Sequence, residues 1–255
     1  MKKRRALLLS LLILLLLVGI PVGFLLREYR QERLNRDLIE AIVTNDTPSV
    51  LTALNAGASP NAPLLPPDKR PILRRWFARI FQREPPLRLD QTVFLVAVEG
   101  VRGRNTAPPE NGAILKAMLD HGANINVQDE AGYTVLIIAA ASDHAETVKL
   151  LLDRGANTAI KSYYTSLAVW DTATNSYIPI GERSALQIAM EFDHPNNMKL
   201  LLDHGDNVNV RDDDGQTLLS KAITHHKDEC VRLLKQYGAK TAKDLDAQAA
   251  TPPKR

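Results

Sequence analysis

A period of 33 residues runs through most of this chain and constrains its fold more than any other feature. Four segments align without internal gaps when each is set by a glycine 21 positions after its first residue: Arg36 to Gly57, Thr134 to Gly155, Ser184 to Gly205 and Thr217 to Gly238. Each carries an apolar residue at its third position (Leu38, Leu136, Leu186, Leu219) and an alanine at its sixth (Ala41, Ala139, Ala189, Ala222). A leucine-rich run precedes each glycine. A fifth copy opens at Thr92 with TVFLVAVEG and closes with KAMLDHGANINVQD, with nine extra residues around RNTAPPE between its halves. Gly122 to Gly155 and Gly205 to Gly238 both span 33 residues. Fixed spacing of this kind marks a solenoid, in which each unit buries its apolar face only against its neighbours.

The copies TVLIIAAASDHAETVKLLLDRGAN (134–157), SALQIAMEFDHPNNMKLLLDHGDN (184–207) and TLLSKAITHHKDECVRLLKQYGAK (217–240) resemble the ankyrin repeat. The resemblance covers residues 36–240. It implies a short first helix from the Thr or Ser, a second helix ending at LLL-D-x-G, and an extended finger reading N-x-N-x-x-D-x-x-G-x-T. The physical roles agree with it. The glycine after the second helix can take the left-handed C-cap, and the alanine lets paired helices approach. Asp129 and Asp212 suit an Asx-turn at the fingertip, ahead of Gly132 and Gly215. The family's T-P-L-H signature reads TVFL, TVLI, SALQ and TLLS here, and the first copy begins with Arg36. Lower stability is expected from the lost hydrogen bonds, without a change of fold. The expected architecture is all-α: a solenoid of about five helix pairs with short β-hairpin fingers, preceded by one transmembrane helix.

Two insertions break the period. Gly57 to Thr92 spans 35 residues where Gly122 to Thr134 spans 12. Inside it, PILRRWFARIFQRE (71–84) has a helical pattern with proline in the first turn. Ile72, Leu73, Trp76, Phe77, Ile80 and Phe81 fall on one half of the wheel, opposite Arg74, Arg75, Arg79, Gln82 and Arg83. That is also the pattern of a helix lying in a membrane interface, so Arg74, Arg75, Trp76, Phe77, Arg79, Phe81 and Arg83 are membrane-surface candidates, with packing on the repeats as the competing reading. The second insertion, SYYTSLAVWDTATNSYIPIGE, has strand-like stretches on either side of DTATNS and reads as a lengthened finger hairpin.

The amino terminus is a different kind of segment. After Lys2, Lys3, Arg4 and Arg5, the 21 residues Ala6–Leu26 carry no charge. As a helix they span roughly 31 Å, about the thickness of a bilayer's hydrocarbon core. A cleaved signal peptide is the alternative, but its apolar core is usually shorter, and cuts after Gly19 or Gly23 would leave Leu17 or Pro21 at position −3. The organisation that follows is a basic segment (1–5), a transmembrane anchor (6–26), a helical juxtamembrane stalk (27–35), and an ankyrin-repeat domain (36–240). The domain has insertions near 63–88 and 162–180, and a polar tail (241–255) closes the chain. Four basic residues flank the span on each side, but the amino-terminal four are packed together and joined by the terminal amine. The Lys/Arg bias then puts the amino end in the cytoplasm and the repeats outside it, on a periplasmic or extracellular side.

Composition removes several classes of function. Of 32 Lys and Arg and 29 Asp and Glu, four basic groups sit before the span, so residues 27–255 carry a net charge of −1. That balance argues against nucleic-acid binding, which depends on neutralising phosphates. One cysteine, Cys230, rules out a disulfide framework or a multi-cysteine zinc cage. His121 and His204 share one repeat slot and His144 and His194 another, which reads as structure and not as metal ligation. Asp212, Asp213 and Asp214 belong to a fingertip turn, with no glutamate at the calcium-loop distance. No phosphate loop and no G-x-S-x-G occurs. No enzyme activity, cofactor, metal or small-molecule substrate is expected.

The function expected is binding of another protein by a membrane-anchored repeat protein acting as scaffold or adaptor. The alternatives are an immunity or accessory protein masking one enzyme or toxin, or membrane-surface association through the basic helix. The ankyrin resemblance implies a binding surface on fingertips and inner helices: Gln128, Glu130, Ala131, Tyr133, Ala141 and Ser142, then Arg183, Glu191 and Phe192, then Arg211, Asp213, Asp214, Gln216, Thr224 and His225. Tyr163, Tyr164, Trp170 and Tyr177 in the hairpin insertion add residue types enriched at binding hot spots.

Overall fold

Thr134, Ser184 and Thr217 each start a helix by offering a side-chain oxygen to the amide three residues on, the bond a helix start otherwise lacks. Ser184 completes a capping box, because the side chain of Gln187 accepts from the Ser184 amide at 2.9 Å. The chain is seen in a computed structural model that describes residues 20–62, 92–99, 112–129, 131–142, 144–162, 165–171, 176–180 and 182–249. Its helices are α1 (Ile20–Val43), α2 (Thr47–Asn55), α3 (Val93–Glu99), α4 (Gly112–Asp120), α5 (Val135–Ala141), α6 (Ala145–Asp153), α7 (Ala185–Glu191), α8 (Pro195–Asp203), α9 (Leu218–Thr224), α10 (Asp228–Gln236) and α11 (Ala242–Ala249). Two strands, β1 (Thr165–Asp171) and β2 (Ser176–Ile180), lie between α6 and α7.

The five pairs α1/α2, α3/α4, α5/α6, α7/α8 and α9/α10 are the five copies of the period. The residues the period repeats form the core: Leu38, Phe94, Leu136, Leu186 and Leu219 are buried, and so are Ala41, Ala139, Ala189 and Ala222. Burying each leucine is worth about 1.5–3 kcal/mol, and the small alanines let the helices approach closely enough to close the core. Each second helix then stops at a left-handed residue. At Gly155, φ is +81°, and the next amide, on Ala156, turns back to the carbonyl of Leu151 at 3.0 Å.

The fingers join neighbouring repeats. Asn61 Oδ1 accepts from the Asn124 amide (2.7 Å), Asn126 Oδ1 from Asn157 (2.9 Å), and Asn209 Oδ1 from Lys240 (2.8 Å). At the fingertips, Asp129 Oδ1 accepts from the amides of Ala131 and Tyr133, and Asp212 Oδ1 from those of Asp214 and Gln216. These are the Asx-turns read from the sequence.

The second insertion lengthens one finger without breaking the stack. Lys161 bridges Ser184 at its base, the Ser162 amide donates to Arg183 at 2.9 Å, and β1 and β2 continue outward as an antiparallel pair with Trp170 opposite Tyr177.

One feature differs from the sequence reading. Residues 242–249, expected within a polar tail, form α11. Thr241 and Asp244 cap its start reciprocally, and Arg211 holds it through the Ala242 carbonyl and Asp246. The helix has no buried residue, so no apolar period announced it. The juxtamembrane segment 27–35 lies within the helix α1 and is tied to the first repeat. Gln31 Nε2 donates to the Gly57 carbonyl at 2.9 Å and Asn35 Oδ1 accepts from Ser59 at 2.9 Å, tying α1 to the first finger. The run Ala6–Leu26 lies outside the described residues except for Ile20–Leu26, which are the first turns of α1. Among the described residues, no helix is long and apolar enough to cross a membrane. The basic segment 71–84 lies outside them too.

Candidate protein-binding surface

The fingers and the carboxyl ends of the first helices carry the residues expected to bind, and the structure sorts them by what their side chains already do. Gln128 and Arg211 occupy the same repeat position and serve the same internal purpose. Gln128 Nε2 donates to Gly132 O at 2.9 Å within its finger and to Lys161 O at 3.3 Å on the next. Arg211 donates to Gly215 O at 3.1 Å in its own finger and reaches Asp246 on α11 at 2.7 Å. The last helix thus receives the contact that a fifth finger would.

Two expected surface residues are not at the surface. Ala131 is 6% exposed, folded under the Asx-turn of Asp129. Arg183 is 8% exposed: its Nε donates to Glu191 Oε1 at 2.8 Å, its Nη1 to the Glu182 carbonyl at 3.0 Å, and Asp213 lies 3.6 Å away. A guanidinium held on three sides at the base of the long finger supports that finger. Ser142 donates its hydroxyl to Ile138 O, and Tyr133 and Ala141 pack half-buried against the core. Glu130, Tyr163 and Tyr164 lie outside the described residues, as do Arg74, Arg75, Trp76, Phe77, Arg79, Phe81 and Arg83.

Phe192, Asp213, Asp214, Gln216, Thr224 and His225 remain exposed, gathered at the fourth and fifth repeats. Phe192 ends α7 and stacks on the His194 ring, with centroids 6.3 Å apart and planes 10° from parallel. Next to Glu191 a small open depression is lined by Arg183, Gln187, Glu191, Asp212, Gln216 and Lys221 over Met190, Val210 and Leu218. Lys221 Nζ sits 2.5 Å from Asp212. Burial works against the Asp212 charge, but Lys221 and the amides of Gln216 and Asp214 outweigh it and hold the carboxyl below its ordinary range. The depression is therefore lined by charges that already neutralise one another, and Asp213 lies 3.6 Å from its Arg183. Among the described residues, no group of three His, Cys, Asp or Glu is placed to hold a metal ion.

Ile223 was missed. It is 46% exposed, although Met190, one period earlier, is 1% exposed. Among the described residues, those beyond α10 fold as α11, which buries nothing, and leave this position open.

A family model described as ankyrin repeats matches residues 109–162 and 167–244 in three copies, just over half of the chain. No curated protein matches it.

Proposed function

Because this chain belongs to the ankyrin-repeat family, we propose that it is a binding module, not an enzyme, that holds another protein against its fourth and fifth repeats. The observation that carries this is the exposed group Phe192, Asp213, Asp214, Gln216 and His225, on a surface where Arg183 is paired with Glu191 and Lys221 with Asp212. An exposed aromatic beside a charged rim is the composition of a binding centre with a solvated edge. The test is capture from the native cell extract with the full chain and with a Phe192→Ala, Asp213→Ser, His225→Ala variant, identified by mass spectrometry. A partner held by the first and lost from the second, with the circular dichroism of both alike, supports this surface. Equal capture by both removes it.

The proposed setting is a membrane, with Ala6–Leu26 as a single-pass anchor and the repeats outside the cytoplasm. The uncharged run supports the anchor, as does the exposure of Val22 (46%), Phe24 (55%) and Leu26 (65%) along α1. Alkaline phosphatase fused to the carboxyl end becomes active only after export. A stable but inactive fusion would put the repeats in the cytoplasm.

A further inference from the structure

We infer, resting on the anchored reading, that the finger end of the repeat stack faces the bilayer and the turns between paired helices face away from it. The orientation follows from α1. It is one helix from Ile20 to Val43: its exposed first turns carry Val22, Phe24 and Leu26, and its last turns bury Leu38, Ala41 and Ile42 in the first repeat. A lipid-covered start and a protein-covered end on one helix leave no joint between anchor and stack.

The braces set the height. Gln31 bonds the Gly57 carbonyl and Asn35 the Ser59 amide, so the first finger sits level with residues only five to nine positions beyond Leu26. Five residues of helix rise about 7.5 Å, close to the thickness of one headgroup layer. Arg27, Tyr29 and Arg30 fall within that layer, where basic side chains reach headgroup phosphates and an aromatic ring meets the interface.

The remaining fingers follow the first. The Val93 amide, opening α3, bonds Ala62 of the first finger, and the asparagine ties at Asn61, Asn126 and Asn209 step from finger to finger or to the end of the stack. The fingers therefore form one row on the bilayer side. Asn45, Asp193 and His226 mark the opposite row, about 10 Å further out for the seven residues of a first helix. A partner held from Asp213 and Asp214 at the fingers to Phe192 and His225 at the turns then has its finger-side edge close to lipid headgroups, which selects a membrane-embedded or membrane-bound protein over one that approaches only from bulk solvent.

The test uses the full chain in vesicles with acceptor-labelled headgroups. A donor is placed on Asp214→Cys at a fingertip or on His225→Cys beside a turn, and the native Cys230 stays unlabelled because it is fully buried. The fingertip donor is expected to be quenched more strongly, and inserting Gly-Gly-Ser-Gly between Arg27 and Glu28 is expected to abolish the difference. Equal or reversed quenching in protein that resists alkaline extraction overturns the orientation while the anchor stands. Release of the protein by alkaline extraction overturns the anchor, and the orientation with it.

Discussion

Asn126 accepts a hydrogen bond from the backbone amide of Asn157 across the boundary between two repeats, at 2.9 Å. Asn61 and Asn209 do the same at two other boundaries. At the boundary between the third and fourth repeats the equivalent residue is Ala159, in the finger that carries the β1–β2 extension. Asn126→Ala is expected to cost about 1 kcal/mol, the worth of one such bond, read as a lower urea midpoint. Ala159→Asn is expected to raise the midpoint, because it supplies the bond that this boundary lacks. No rise would mean that the lengthened finger holds the boundary in a geometry the side chain cannot reach.

Arg183, expected on the protein-binding surface, is better described as the support of the long finger. Its bond to Glu191 is 2.8 Å long, with side chains only 9% and 24% exposed. Arg183→Ala leaves a half-buried carboxylate without its partner, so a loss of about 2–3 kcal/mol is expected. Arg183→Lys keeps the charge but loses the two-sided contact to Glu191 and the Glu182 carbonyl, and recovers only part of that. A wild-type denaturation midpoint in the alanine variant would return Arg183 to the binding surface.

The fold was legible because solenoid packing writes the same residues every 33 positions, and Leu136, Leu186 and Leu219 cannot be anything but core once the period is seen. The fingertip turns were legible for a local reason, since Asp129 and Asp212 bond amides two and four residues away. The site was less so. Whether Gln128, Arg183 or Arg211 is available depends on the neighbouring finger or helix, and contacts between repeats leave no mark in the repeat that makes them. The helix α11 escaped for a related reason: it is held by Arg211, Lys240 and Ser220 through polar bonds and buries nothing.

Asp206 stands where the other repeats have alanine: Ala58, Ala123, Ala156 and Ala239. Burial raises its pKa above the ordinary value, only partly offset by Thr158 and the nearby His204. A carboxyl whose pKa is raised on folding stabilises the fold at pH values below its unfolded pKa, near 3.8, and that contribution is lost as pH rises through the folded value. Asp206→Ala is therefore expected to raise Tm at pH 7, on the order of 2 °C. The advantage should shrink as pH falls toward 4. A constant gain at both pH values would assign the effect to packing and not to charge.

His226 sits in the turn between α9 and α10 with φ at +55°, a conformation that costs a side chain with a Cβ about 1–2 kcal/mol. His226→Gly removes that strain but adds freedom to the unfolded chain, leaving an expected net gain of roughly 0.5 kcal/mol. His226→Val places a β-branched residue there and is expected to destabilise by more than about 1 kcal/mol. Paired thermal melts of the two variants check the sign, and a glycine variant no more stable than valine would refute the strain.

Cys230 is fully buried on α10, and its Sγ lies 3.1 Å from Asp193 Oδ1, to which it donates. Burial first, and then the Asp193 carboxylate, push its pKa up from 9.0 to about 12. At neutral pH the thiol is protonated and enclosed, so modification by a thiol reagent should proceed only through opening of the last repeat, at a rate that rises with urea. The sign of the pH effect follows from the raised pKa. The folded state keeps the proton that the unfolded chain releases above pH 9, so this contribution is complete below pH 9 and is lost between 9 and about 12. Wild-type stability should therefore fall more steeply with pH above 9 than that of Cys230→Ala, measured by urea unfolding at pH 8 and pH 10. Parallel declines in the two proteins would show that the thiol keeps its ordinary acidity in the folded chain.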